Sequence, residues 1–168
     1  MTLKTNKLMN AGKSLTKLLE ACNWLLAVSL VAQILIVLVV PMVTDVELPP
    51  EYRGPQLAGM FLDELAAVVS TVLTALIFRF LHQILKNAQT GTPFCQDNIR
   101  LLHRIGVFAL VSPTLSLVAG GIATHLLGAE NLPVTVGLDD FCMGVIVLCL
   151  TQFFIHGAEL EEDVEGLL

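Results

Sequence analysis

Five side chains have the types that hold a divalent cation. Asp63 and Glu64 form one acidic pair, Asp139 and Asp140 a second, and His125 adds an imidazole. Carboxylate oxygens and a neutral ring nitrogen are ordinary ligands for such ions. The two pairs also have a plainer reading. Each stands near the start of an apolar stretch, and negative charge at a helix N-terminus is favourable by about 0.3–1 kcal/mol. The expectation is therefore no metal and no cofactor, with Asp63, Asp139, Asp140 and His125 as the candidates that geometry must test.

Other chemistry lacks its patterns. The sequence has no H-E-x-x-H, no G-x-S-x-G and no G-x-x-x-x-G-K, so zinc hydrolysis, a nucleophile elbow and a phosphate loop have no local signature. His82, His103, His125 and His156 are scattered along the chain. Cys22, Cys95, Cys142 and Cys149 show no C-x-x-C spacing and read as small buried thiols. No catalytic residue is assigned, and an enzyme is not expected.

The elements that position these residues follow from composition. The chain has 168 residues, 55% hydrophobic and 14% charged. A soluble domain carries about 25% charged residues, so the solvent implied here is a bilayer. About 20 apolar residues cross a hydrocarbon core as one helix. Four runs meet or approach that length, giving spans at about 18–43, 60–85, 101–127 and 138–157, within the 17–25-residue range for a helix or slightly longer. Residues 1–168 thus read as a single all-α four-pass membrane domain, with 158–168 as an acidic tail. The first run is too long for a cleaved signal core and is expected to stay as a span.

Charge sets the orientation. Lys4, Lys7, Lys13, Lys17, Arg79, Lys86, Arg100 and Arg104 fall on one side if both termini are cytoplasmic; Arg53 alone falls on the other. The positive-inside rule selects that arrangement. Glu159, Glu161, Glu162, Asp163 and Glu165 close the chain, and no face reads as a direct nucleic-acid site.

Helices in lipid associate through small and polar residues. Span two offers Asp63, Ala67, Ser70 and Thr74 on one face; span three offers Ser112, Ser116, Gly120 and Thr124. Ser29 and Gln33 in span one, and Asp140, Gly144 and Gln152 in span four, are the corresponding positions. These stripes predict a compact four-helix bundle with the polar residues inside. A short echo, "LDEL" at Leu62–Leu65 and "LDDF" at Leu138–Phe141, suggests that spans two and four start alike.

The central stretch "GTPFCQDNIRLLHRIG" joins the two halves. Gly91 suits the end of span two, Thr92 an N-cap and Pro93 a first helical residue. At 100° per residue, Gln96, Asp97, Arg100, His103 and Arg104 share one side. Phe94, Leu101, Leu102, Ile105 and Phe108 share the other. This predicts an amphipathic elbow helix at the membrane surface leading into the third span. Asn98 falls on the apolar side and needs a partner, expected among the freed carbonyls ending span two.

Gly91, Pro93, Phe94, Asn98, Arg100, Leu102, Arg104, Ile105 and Gly106 form a pattern with a counterpart elsewhere, and so do Gly157, Ala158, Glu159, Leu160 and Glu162. In both motifs the chain resembles the YoaS-like bacterial membrane proteins, domain-of-unknown-function family 2975, and by layout the likeness extends over all four spans. It departs after Leu160, where Glu161 stands in place of an arginine and "VEGLL" replaces a strand-like ending. The resemblance implies a four-pass bacterial inner-membrane protein. It further implies a small helix-turn-helix regulator as partner, by analogy and not by chemistry.

The leading expectation is a non-enzymatic membrane regulator or partner-binding protein with that regulator on its cytoplasmic face. A small transporter, channel or channel subunit is the second reading, and a structural or immunity-type membrane protein the third; homo-oligomerisation is left open. The lysine and arginine distribution makes a direct prediction. A fluorescent reporter fused after Leu168 should light up in cells, and a phosphatase active only outside the cytoplasm should be silent there and active when inserted near Arg53. The reverse pattern would overturn the orientation.

Overall fold

Hydrocarbon offers the backbone no hydrogen bonds, so a chain crossing it must satisfy each peptide internally. The computed structural model describes residues 3–44, 54–90, 93–129 and 137–165, and its elements meet that demand as helices. They are α1 (Leu3–Thr44), α2 (Pro55–Thr90), α3 (Gln96–Gly121, prolonged by a π-helical turn, Ile122–Leu126) and α4 (Leu138–Glu165). Four stretches, Asn10–Ile36, Pro55–Ala88, Gln96–Leu126 and Leu138–Val164, are long and apolar enough to cross a membrane. α1 has 42 residues; at 1.5 Å per residue it reaches about 60 Å, roughly twice a hydrocarbon core. Its lysine-bearing turns are therefore helix that continues past the apolar run.

The helices pack in chain order. α1 lies on α2, α2 on α3 and α3 on α4; among the described residues α1 touches neither α3 nor α4, and α2 does not touch α4. Successive pairs run antiparallel, as the contacts Thr16–His82, Phe80–Phe108 and Leu110–Gly144 show. The four helices form an open row instead of the closed bundle that the polar stripes predict. The reason lies in the hydroxyls. Thr71, Thr74, Thr114, Thr124 and Thr151 each donate to the carbonyl four residues back on their own helix, at 2.7–2.9 Å. A hydroxyl satisfied in this way places no demand on a neighbouring helix. The Ser70 hydroxyl does cross between helices, to the Ser112 carbonyl at 3.4 Å.

Most of what is buried is small, with Ile99, Leu101 and Ile105 of α3 as large apolar exceptions. Ala27, Ala66, Ala75, Ala119, Ala123, Gly106 and Gly144 are buried, whereas Leu25 is 71% and Phe153 71% exposed. This inverts a soluble core and is the pattern of helices that approach through small residues in lipid. Ser29, Gln33, Asp63, Asp140 and Gln152, expected inside, are exposed, because an open row leaves a face of each helix uncovered. Cys22, Cys142 and Cys149 are exposed for the same reason, and Cys95 is half-buried, so the buried-thiol expectation is corrected.

The α3–α4 contact shows how close the approach is. A Cβ on Gly106 would lie 2.6 Å from Leu148 Cδ2 and 3.2 Å from the Leu148 nitrogen; one on Gly144 would lie 2.6 Å from Leu110 Cγ and 3.1 Å from the Leu110 nitrogen. Each helix thus seats a leucine of the other on a glycine. α3 continues through Pro113 and leaves through the π-helical turn, where the Leu127 N–H reaches the Ile122 carbonyl at 3.1 Å. Gly106→Ala should cost about 1–3 kcal/mol of stability by overpacking, measured by unfolding in mixed micelles. Adding Leu148→Ala should recover part of that loss; a double variant no better than the sum of the two single ones would contradict the seating.

Candidate functional site at the α2–α3–α4 junction

The end of α2, the start of α3 and the end of α4 meet at one end of the row, and both sequence motifs lie there. α3 begins at Gln96 with Cys95 as its N-cap, and Cys95 makes no side-chain capping bond. Pro93 and Phe94 form a turn ahead of it. The helix therefore starts three residues later than expected at Pro93; Gly91 and Thr92 lie outside the described residues. Asn98 accounts for the shift. Its Nδ2 donates to the Pro93 carbonyl at 3.1 Å. The backbone N–H groups of Asn98 and Ile99 donate to the Cys95 carbonyl at 2.9 and 3.2 Å. Pro93 is thereby held as a turn residue, and α3 is the first helix after it.

Asn98 is 0% exposed. A buried amide without partners costs about 1–3 kcal/mol, and this one is bonded on both atoms. Besides the Pro93 bond, its Oδ1 accepts from Asn87 Nδ2 at 2.9 Å. The expected partner was a free carbonyl at the end of α2; the partner found on α2 is an amide side chain. Asn87 was not singled out from sequence, although a polar residue on the apolar side of α3 signals that α2 must supply something.

Phe94 carries the third helix into the junction. Its ring meets Phe154 edge-on, centroids 5.3 Å apart, and a Cβ on Gly157 would lie 2.8 Å from it. Gly157 is the space the ring occupies. The motif around Gly91–Gly106 and the motif around Gly157–Glu162 are therefore parts of one contact. Ile105 and Gly106 are buried on the same helix, while Gln96, Asp97, Arg100, His103 and Arg104 are exposed, so the two faces divide as the periodicity predicts.

The charged members stay outside. Arg100 pairs with Asp97 at 3.8 Å, and Glu159 Oε2 lies 2.9 Å from His156 Nδ1. All four are exposed, and such pairs contribute about 0–1 kcal/mol. Glu159, Leu160, Glu162 and Asp163 are exposed on the last turns of α4. No ion pair from Arg100 or Arg104 to Glu159 or Glu162 forms among the described residues.

The candidate cation ligands do not gather. Asp63 lies in the third turn of α2, Asp139 and Asp140 in the first turn of α4, and His125 is exposed in the π-helical turn. Among the described residues α2 and α4 do not touch, so no helix contact brings the two acidic pairs together. No group of three His, Cys, Asp or Glu side chains able to hold a metal occurs among the described residues. Asp140 instead caps its helix, its Oδ2 accepting from the Gly137 N–H at 3.0 Å, a reciprocal bond known from capping boxes. Glu64, which matches Asp140 in the echo, lies inside α2 and not at its start, so the two short echoes play different parts. Glu64 differs again. It lines a cavity of about 300 Å³ with Gln33, Leu57, Met60 and Phe61, and its Oε2 is buried without a hydrogen-bond partner.

Residues 55–166 match the family model described as a protein of unknown function (DUF2975). The match takes in α2, α3, α4 and both motifs; α1 lies outside it, so the likeness covers three spans where the layout suggested four. No curated protein and no solved structure matches the chain. The junction makes its own prediction. Asn98→Ala should destabilise the protein by about 1–3 kcal/mol, and a double-mutant cycle with Asn87→Ala should give a coupling of about 0.5–1.5 kcal/mol in the same micelle assay. Zero coupling would mean that the amides are neighbours and not partners.

Proposed function

The chain belongs to the DUF2975 family, and from that premise we propose that it is a non-enzymatic, multi-pass protein of the bacterial inner membrane that acts by holding a partner at the α2–α3–α4 junction. The partner is a small helix-turn-helix transcription factor on the cytoplasmic side, which the N-in, C-in orientation makes accessible. The observation that carries this reading is the state of the acidic turns of α4. Glu159, Glu162 and Asp163 project from the row and are not neutralised by Arg100 or Arg104 among the described residues. A DNA-binding module is usually basic, and an exposed acidic helix complements it electrostatically.

The other two readings have less behind them. A transport path requires a polar cavity near Ser70 and Ser116. Ser70 is engaged with the Ser112 carbonyl at that depth, and a helix row with no α1–α4 contact encloses no central channel among the described residues. An immunity-type or structural role requires small-residue stripes facing outward. Leu25, Leu26, Val28, Leu35, Met143 and Phe153 dominate the exposed faces of α1 and α4, and those suit lipid.

The test is retention on an affinity resin. The solubilised full chain should retain a small helix-turn-helix transcription factor from the same cell. The triple charge reversal Glu159→Lys, Glu162→Lys, Asp163→Lys should abolish that retention while helicity is unchanged. Absence of retention by the unaltered chain, or equal retention by the triple variant, would sink the proposal.

A further inference from the structure

Away from the junction, α1 and α2 form a groove walled by cations. It is open, has a volume of about 400 Å³ and is lined by Lys13, Ser14, Lys17, His82 and Lys86. No acid lines it. Lys13 and Lys17 are one turn apart on α1, His82 and Lys86 one turn apart on α2, and the antiparallel packing sets the two pairs opposite each other.

Two contacts fix that register. Gly12 stands against Leu85, where a Cβ would lie 3.5 Å from Leu85 Cδ1. Thr16 Oγ1 lies 3.2 Å from His82 Nδ1. The Thr16 oxygen also lies 3.0 Å from the Lys13 carbonyl, and which group donates in the Thr16–His82 contact follows the imidazole tautomer. The imidazole is thus held by one nitrogen on the wall of the groove, with Nε2 as its other polar atom.

Like charges one turn apart on a helix repel one another. Lys17 and Lys86 stand on opposite walls of the groove, and ammoniums so placed are stabilised by an anion between them. Depth points to which anion. The uncharged run of α1 starts at Ala21, and Lys17 lies about 6 Å before it along the helix, at 1.5 Å per residue. That is the level of headgroup phosphates, just outside the hydrocarbon core. Lysine ammoniums bind phosphate as point charges without demanding a planar fork.

We propose that this groove is a binding site for an anionic phosphate group, with Lys17 and Lys86 as its principal ligands and His82 and Ser14 as hydrogen-bonding walls. A phospholipid headgroup and a small soluble phosphate ester present the same chemistry, and the site binds either by it. One wall is α1, which lies outside the residues that the family model matches.

The experiment uses the full chain in neutral detergent, with binding read by native mass spectrometry. Phosphatidylglycerol should bind more tightly than zwitterionic phosphatidylcholine. Lys17→Gln with Lys86→Gln should weaken phosphatidylglycerol binding by about fivefold for each lysine removed. The variant Lys4→Gln with Lys7→Gln loses the same charge at positions about 9 Å or more before Lys13 along α1 and should bind nearly as the unaltered chain does. His82→Gln, which leaves every lysine in place, should also weaken binding, and it reports on the site if the double lysine variant loses its helicity. Displacement of the lipid by millimolar inorganic phosphate or glycerol phosphate would identify a soluble ligand; lipid binding that persists would identify the headgroup. Equal affinity for the two lipids, no loss in any groove variant, or an equal loss on removing Lys4 and Lys7 would overturn the proposal.

Discussion

Lipid gives a large apolar side chain nothing for leaving it, and the contacts between these helices answer to that constraint. In water, Leu25 and Phe153 would be driven inward; here they stay on the outside. Association then depends on how closely backbones approach and on which polar groups must be satisfied. Glycine supplies the first: Gly106 and Gly144 let α3 and α4 come near enough for each to seat the other's leucine. Asn98 supplies the second. Completely enclosed, it binds the Asn87 side chain of α2 and the Pro93 carbonyl of its own turn. Within five residues, Phe94 and Asn98 tie α3 to both of its neighbours, and that compactness is why both motifs concentrate there.

The number of membrane-length helices is legible in the sequence because hydropathy measures the solvent directly. The junction is legible in part. Asn98 on an apolar face demands a partner, and Phe94 and Gly157 stand in the two motifs; Asn87 and Phe154, which complete the contacts, are ordinary letters in apolar helices. The stripes misled because spacing shows which residues share a face but not whether that face has work to do. Thr74 and Thr124 bond to their own helices, so the stripes they belong to do not turn toward a common centre. The acidic pairs misled for a related reason. Glu64 and Asp140 hold matching places in the two echoes but stand in a third turn and a first turn, and Asp140 meets an N–H to cap.

Serial packing also explains how opposite charges persist on one end of the molecule. The antiparallel row puts the start of α1, the end of α2, the start of α3 and the end of α4 on the same side. The lysine-walled groove lies at the α1–α2 margin and the acidic turns of α4 at the other margin. In a closed four-helix bundle α4 would lie beside α1, and Glu159, Glu162 and Asp163 would meet Lys13 and Lys17. Each set would then neutralise the other. In the row two helices intervene, each about 8–10 Å from the next, while charges in salt water are screened beyond about 8 Å. The basic and acidic margins are therefore electrostatically independent. The openness of the row is the property that keeps the two apart.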